Sequence, residues 1–263
     1  MDWVHIAQGA NDCLSVVLIV RLLSLRLHNV YRIFSVYLLI QLLGSLIAVQ
    51  SEIWPGYWDY RMSWIPTQIM LWICSLCMVY AFLKGVLGTL PGILKFSRRL
   101  LNVTFVIAIS VALWSASAEY HSSNAIRLPT FLARTVGGMF VLDRAICSAA
   151  LLAILAILCF VLWFPVQMPK NLAMFSAGFA VYFAATTASL LTWSLFSADS
   201  LRLLDNLTML TLSLCYAYWI LFLTPEGESI PVRMGHSWDP PEQDRLLGQL
   251  EAMNASLLRS ARR

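Results

Sequence analysis

Residues 139–164 read MFVLDRAICSAALLAILAILCFVLWF, and this stretch decides the fold. It contains no charged residue from Ala145 to Phe164, and about 20 apolar residues in a helix are enough to cross the hydrocarbon core of a bilayer. Six other stretches of the chain have a similar length and composition. The seven predicted spans are approximately residues 4–24, 30–49, 65–86, 100–118, 139–164, 172–196 and 203–223. The sequence therefore predicts an all-α fold, a polytopic transmembrane helix bundle with seven spans.

The composition of the chain also points to a membrane environment. Hydrophobic residues make up 59% of the 263 residues and charged residues 12%, whereas a soluble domain has about 25% charged residues. The predicted organisation is a transmembrane domain over residues 1–225 and a cytoplasmic tail over residues 226–263. A six-span alternative without the first span stays open, because the first and fifth spans contain charged residues. The basic residues are not clustered as nucleic-acid binding requires, so nucleic acid is not an expected partner.

Basic residues in the loops predict the orientation, because such loops resist translocation and stay cytoplasmic. Taken alternately, one set of connections together with the tail carries thirteen Lys and Arg residues, and the other set carries four. We therefore expect the N-terminus outside and the C-terminus in the cytoplasm. Residues 1–10 lack the positive segment that opens a cleaved signal peptide, so the first span is expected to be retained. Short loops and the lack of a sorting motif favour a bacterial inner (cytoplasmic) membrane.

The tail has the pattern of an amphipathic helix at about residues 240–262. Two prolines and an acid follow Ser237, which is typical of a helix start, and Leu and Met residues then recur at 3.6-residue spacing. We expect this face to bind a cytoplasmic partner, a second copy of the chain or the inner leaflet. The residues of this predicted partner-binding surface are Leu246, Leu250, Met253 and Leu257.

Ionisable and aromatic residues near the predicted outer surface form a candidate ligand-binding site. An ionisable group inside a membrane is costly and needs a partner or a function. His5, Gln8 and Asp12 share one face of a helix, and Asp143 and Arg144 lie near the outer end of the fifth span. We expect a small-molecule pocket on the outer side. Its candidate residues are His5, Gln8, Asp12, Trp58, Glu119, Asp143 and Arg144.

Structural roles without ligand binding also stay open for the same residues. The first helix could begin later, near Cys13, and leave Asp12 in water. Arg144 could form a structural ion pair with Asp12, Glu119 or Asp199, and the tryptophans of the loop after the second span could belong to an interfacial belt.

No motif in the chain names a reaction. The six cysteines fall inside predicted spans, which predicts small packing residues and no loop disulfide. Cys74 and Cys77 form a CxxC without the further ligands that zinc needs, so no metal or other cofactor is predicted. The favoured function is a sensor or receptor-like module with an outward-facing pocket and a cytoplasmic output helix. The alternative is a transporter or an accessory subunit of a membrane complex, and an intramembrane enzyme is favoured less.

Overall fold

The computed structural model describes the backbone of residues 3–53, 60–122, 131–164, 166–193, 198–232 and 240–260. Side chains are described for residues 7–50, 64–114, 138–164, 166–190, 206–232 and 241–259. Within these ranges the chain is almost entirely helical. The eight helices are α1 (Trp3–Ser24), α2 (Arg32–Ile53), α3 (Tyr60–Leu87), α4 (Pro91–Ser122), α5 (Phe131–Trp163), α6 (Lys170–Trp193), α7 (Ala198–Phe222) and α8 (Pro240–Ser260).

Five of the described helices contain a segment long and apolar enough to cross a membrane. These segments are Arg32–Gln50, Trp64–Leu87, Pro91–Trp114, Gly138–Trp163 and Lys170–Leu190. A helix is the expected form for such segments, because hydrocarbon offers no partner for backbone N–H and C=O groups. In α7 the apolar segment Asn206–Phe222 is shorter. The prediction of a multi-pass helical membrane protein is therefore supported, while spans for α1 and α7 stay a prediction.

Six of the helices close into a ring. Each helix packs against the next in the order α1, α2, α3, α5, α6, α7, and α7 returns to α1. The fourth helix lies outside this ring, and among the ring helices it packs against α5 and α3. The tail helix α8 packs against α4. The ring and the peripheral pair of α4 and α8 are thus two distinct layers of the molecule.

An aromatic cluster fills the ring. One face of α6 places Phe175, Phe179 and Phe183 at intervals of four residues, and all three are buried. The Phe179 ring lies 4.8 Å from the Trp219 ring of α7 and 5.4 Å from the Phe34 ring of α2. Aromatic pairs at these distances stabilise a core beyond their buried area.

Three connections meet at one end of the ring, which we call the basic end. The guanidinium of Arg21 donates to the carbonyl oxygen of Leu223 at 3.3 Å. The segment after α7 contains a short 3-10 helix, Pro225–Glu228. It continues into strand β2 (Pro231–Val232), which pairs antiparallel with strand β1 (Met168–Pro169) before α6. The connections after α1, α5 and α7, all predicted to be cytoplasmic, therefore lie together.

Glu228 ties this segment to the ring. The hydroxyl of Tyr31 donates to the Glu228 carboxylate, and the amide of Asn171 donates to it at 3.0 Å. Burial, together with the hydrogen bond to Glu228, raises the pKa of Tyr31 far above its ordinary value. The phenol of Tyr31 is therefore a donor at all physiological pH values. Asn171 is completely buried and lies directly against Gly227, so no side chain fits at residue 227.

Two predicted loops are shorter in the structure than the sequence suggested. The basic residues Lys95, Arg98 and Arg99 belong to α4, because Pro91 starts that helix well before the apolar segment. Proline is favoured at the first helical position, where no N–H is needed. The polar connection expected at residues 119–138 is helical up to Ser122 and again from Phe131.

Candidate functional site

Polar side chains of α1 bind α2 inside the ring. The hydroxyl of Ser45 donates to the Asp12 carboxylate at 2.5 Å, and the Gln8 amide lies 3.5 Å from the same hydroxyl. Both α1 residues are half-buried. The helix begins at Trp3, so the alternative of a later helix start, near Cys13, is wrong. Gln8 and Asp12 therefore both face the neighbouring helix α2.

Asp143 of α5 forms a second polar cluster with α3. The Trp72 indole N–H donates to the Asp143 carboxylate at 2.6 Å, and the Gln68 amide donates to the same oxygen at 3.0 Å. The thiol of Cys147, one turn further along α5, lies 3.7 Å from that oxygen. All three donors are uncharged.

Arg144 does not share the environment of Asp143. Its side chain is half-buried, and it has no hydrogen bond or ion pair with a described residue. An ion pair with Asp12 is therefore not present, since Asp12 binds Ser45. The side chains of Glu119 and Asp199, the other two partners considered, lie outside the described residues.

A small cavity lies between α2 and α3, the helices that carry hydrogen-bond partners of the two carboxyl groups. Its volume is about 150 Å³, and its lining residues are Gln41, Gly44, Ile47, Trp64, Thr67, Gln68 and Leu71. Neither carboxyl group lines it directly. Gln68 is a hydrogen-bond partner of Asp143, and Gly44 precedes Ser45, the partner of Asp12. The cavity is smaller than the roughly 300–1,000 Å³ of drug-sized pockets, so it suits a ligand of few atoms.

Gly44 is required at the α2–α3 contact beside this cavity. A Cβ atom there would lie 2.8 Å from the Thr67 methyl group. Such a contact is too short, so a larger residue would displace the Thr67 side chain or force the two helices apart. The glycine therefore sets the separation of the helices that line the cavity.

Polar contacts continue from the cavity toward the centre of the ring. The Tyr216 hydroxyl donates to the Gln41 side-chain oxygen at 2.8 Å. The hydroxyls of Tyr37 and Tyr182 lie 3.0 Å apart, which links α2 to α6. Cys147 lies within electrostatic range of both tyrosines. None of these residues was among those predicted from the sequence, although a glutamine within an apolar span, Gln41, was an available signal.

The predicted partner-binding surface of α8 lies partly against the chain's own bundle. Leu250 is 2% exposed, and Leu246 and Leu257 are half-buried. Met253 remains 49% exposed. Part of the apolar face is therefore already covered, and part is free for another contact.

Asn254 of α8 caps the start of α4, a contact that the sequence analysis missed. Its side-chain oxygen accepts the backbone N–H groups of Gly92 at 2.6 Å and of Ile93 at 3.3 Å. The first N–H groups of a helix have no partner within the helix, and a side-chain oxygen normally comes from the residue just before it. Here it comes from a different helix.

The remaining predicted site residues lie wholly or partly outside the described residues. His5 lies on α1 and Glu119 on α4, but their side chains fall outside the described residues, as does Trp58. The six cysteines are all free; Cys74, Cys147 and Cys215 are buried, whereas the others are exposed. Across the described part of the chain, no three His, Cys, Asp or Glu side chains come together as metal ligands do.

Comparisons with protein-family models, with curated proteins and with solved structures gave no match. The function must therefore be argued from the polar clusters, the cavity and the docked tail helix.

Proposed function

We propose that the chain is a seven-span receptor-like membrane protein that binds a small organic cation between α2 and α3 and responds through α8. The observation that carries this proposal is the pair of carboxyl groups, Asp12 and Asp143, whose partners Ser45 and Gln68 lie on the two helices that line the cavity. Among the described side chains, only uncharged donors contact them. Charged groups taken out of water are normally paired with an opposite charge, and a cationic ligand would supply it.

The surfaces of α1 and α7 support the count of seven spans. Large apolar side chains on the outer faces of these helices are exposed, among them Val17 and Val20 on α1 and Leu210 and Leu214 on α7. Extended apolar surface of this kind requires a covering partner. Because both helices belong to the closed ring, lipid that surrounds the ring would cover their faces as well.

The lining of the cavity favours an ammonium group over other cations. Trp64 forms one wall, and aromatic faces attract quaternary ammonium groups. Gln41 and Gln68 add polar side chains to the same lining. We expect N-terminus-out orientation, which would open this end of the ring to the outside.

The docked tail helix supports a response on the cytoplasmic side. The contact of α8 with α4 includes two backbone N–H groups of α4, which donate to Asn254, and the buried Leu250. A contact of this size can be broken by a modest change in the position of α4. Release of α8 would expose Leu250, which together with the already exposed Met253 would form an apolar surface for a partner.

One observation favours the transporter alternative. The contacts between Tyr37 and Tyr182 and between Tyr216 and Gln41 place hydroxyl groups in the middle of the ring. Polar groups at this depth are frequent along ion pathways. Uptake of a cation into proteoliposomes would favour transport over reception.

The test uses the full-length protein in lipid nanodiscs, with choline as the cation and its uncharged carbon isostere as the control ligand. We expect choline, and not the isostere, to raise the thermal unfolding midpoint. Asp143→Asn should weaken choline binding by roughly 30-fold or more, because loss of one partner of a desolvated charge pair costs about 2 kcal/mol or more. The exposed Asp244→Asn in α8 is the matched control. Equal stabilisation by both ligands, or unchanged binding in Asp143→Asn, would contradict the proposal.

A further inference from the structure

A second, larger cavity lies on the outside of the ring. Its volume is about 310 Å³, and α3, α4 and α5 form its walls. The lining residues are Leu83, Leu87, Ser97, Leu100, Leu101, Thr104, Leu152, Ala153, Ala156, Ile157 and Phe160. Only Ser97 and Thr104 are polar, and the Thr104 hydroxyl donates to the Leu100 carbonyl of its own helix. The groove therefore offers an almost purely apolar surface.

The groove extends from the end of the helices into the bundle. Leu87 is the last residue of α3, Ser97 lies in the second turn of α4, and Phe160 lies one turn before the end of α5. Thr104 and Leu152 line the part further from these ends. The opening is at the basic end, because the end of α3 lies beside the start of α6, where Leu172 contacts Gly85.

Four cations lie on α3 and α4, near the ends of these helices at which the groove opens. Lys84 adjoins the groove on α3, and Lys95, Arg98 and Arg99 lie on the first turns of α4; all four are exposed. The sequence contains no Asp or Glu from residue 60 to residue 118. Among the described residues, none of the four forms an ion pair, although α8 nearby carries Glu251.

Arg98 is directed toward α3 rather than away from the bundle. It lies within electrostatic range of the Tyr80 hydroxyl, and Tyr80 is one turn before Lys84 on α3. Arg98 and Lys84 therefore approach the groove opening from two different helices. A guanidinium and an ammonium in this arrangement suit the oxygens of a phosphate group.

We propose that this groove binds an anionic phospholipid of the cytoplasmic leaflet. One acyl chain lies along the apolar walls, and the headgroup phosphate contacts Lys84 and Arg98. The apolar lining alone would accept any hydrocarbon chain, whereas the unpaired cations at its opening select a lipid with net negative charge. The negative potential of the cytoplasmic leaflet adds to this preference.

The first test measures which lipids stay with the full-length protein. The protein is placed in bilayers of equal parts phosphatidylcholine and phosphatidylglycerol, extracted in detergent, and its retained lipids are quantified by mass spectrometry. We expect phosphatidylglycerol to be enriched. Lys84→Gln with Arg98→Gln should weaken its binding by roughly 30-fold, from about fivefold for each basic residue. Arg26→Gln with Arg32→Gln removes the same charge from exposed sites at the basic end and should retain the lipid.

The second test changes the shape of the groove without changing its charge. Ala156→Phe fills the space between α4 and α5, whereas Ala184→Phe adds the same bulk on an exposed face of α6. We expect only the first variant to lose phosphatidylglycerol and its thermal stabilisation by that lipid. This variant also decides the outcome if the double charge variant does not fold.

Three results would overturn the proposal. The first is equal retention of phosphatidylcholine and phosphatidylglycerol by the unmodified protein. The second is unchanged phosphatidylglycerol retention in the groove variants. The third is a dimer that Ala156→Phe dissociates while lipid retention is unaffected, which would assign the groove to a second copy of the chain.

Discussion

Replacement of Gly92 by alanine should release α8 from α4. A Cβ atom at residue 92 would overlap the backbone carbonyl oxygen of Asn254 and would lie 2.8 Å from its side-chain oxygen. The carbonyl oxygen belongs to the α8 backbone, so a side-chain rotation does not relieve the overlap. The whole tail helix must move away, and both capping hydrogen bonds are lost.

The cost of this release can be worked out from the contact itself. Two hydrogen bonds from Gly92 and Ile93 contribute about 1 kcal/mol each, and burial of Leu250 contributes about 1.5–3 kcal/mol. Alanine recovers up to about 1 kcal/mol through its better helix propensity. The net loss is roughly 3 kcal/mol, which lowers the ratio of docked to undocked α8 more than 100-fold.

Hydrogen exchange of the full-length protein in nanodiscs measures this ratio. An undocked α8 is a short isolated helix, which is marginal in water, so its amides should exchange much faster in Gly92→Ala. The matched control is Gly248→Ala, since a Cβ atom at this α8 position meets no other atom within 4 Å. The control should keep or increase protection. If the α8 amides exchange at the same rate in both variants, the cap by Asn254 does not hold the tail helix on α4.

The remaining predictions concern the ring. Tyr31→Phe removes a hydrogen bond to Glu228 and should lower the free energy of unfolding by about 1–2 kcal/mol. Because the pKa of Tyr31 is raised in the folded state, its contribution is complete below pH of about 10 and declines above it; thermal unfolding at increasing pH should show a shallower decline in the variant. Gly178→Ala would place a Cβ atom 2.5 Å from the Trp219 indole nitrogen and should destabilise the ring by about 1–3 kcal/mol. Gly138→Ala, whose Cβ atom meets no other atom within 4 Å, should keep or raise the unfolding midpoint, because alanine favours a helix more than glycine does.

The approximate positions of the helices could be predicted from the sequence, because bilayer thickness sets the length of an apolar helix. The residues at which the helices begin and end were predicted less accurately. The basic residues of α4 were assigned to a loop, since charge marks the limit of the hydrocarbon but not the limit of a helix. The start at Pro91 was readable only from the preference of proline for the first helical position.

The contacts between helices could not be predicted from one sequence. The face with Gln8 and Asp12 was predictable from helical spacing, but its partner Ser45 lies on another helix. Tyr37 and Tyr182 are 145 positions apart, and within an apolar span a tyrosine has the same pattern as a phenylalanine. The cap by Asn254 was missed for a similar reason, because capping signals are local and this one crosses from α8 to α4.

The two proposed sites and the tail helix converge on the same pair of helices. Asp143 of α5 bonds to Gln68 and Trp72 of α3, and these two are the ring helices against which α4 packs. A cation that competes for the Asp143 carboxylate would weaken the α3–α5 contact on which α4 rests. The lipid groove lies between the same three helices, so a bound lipid would stabilise one position of α4. The proposed cation and the proposed lipid therefore weaken each other's binding only if they favour different positions of α4. Because Asn254 docks α8 on the start of α4, hydrogen exchange of α8 would show which position of α4 is populated.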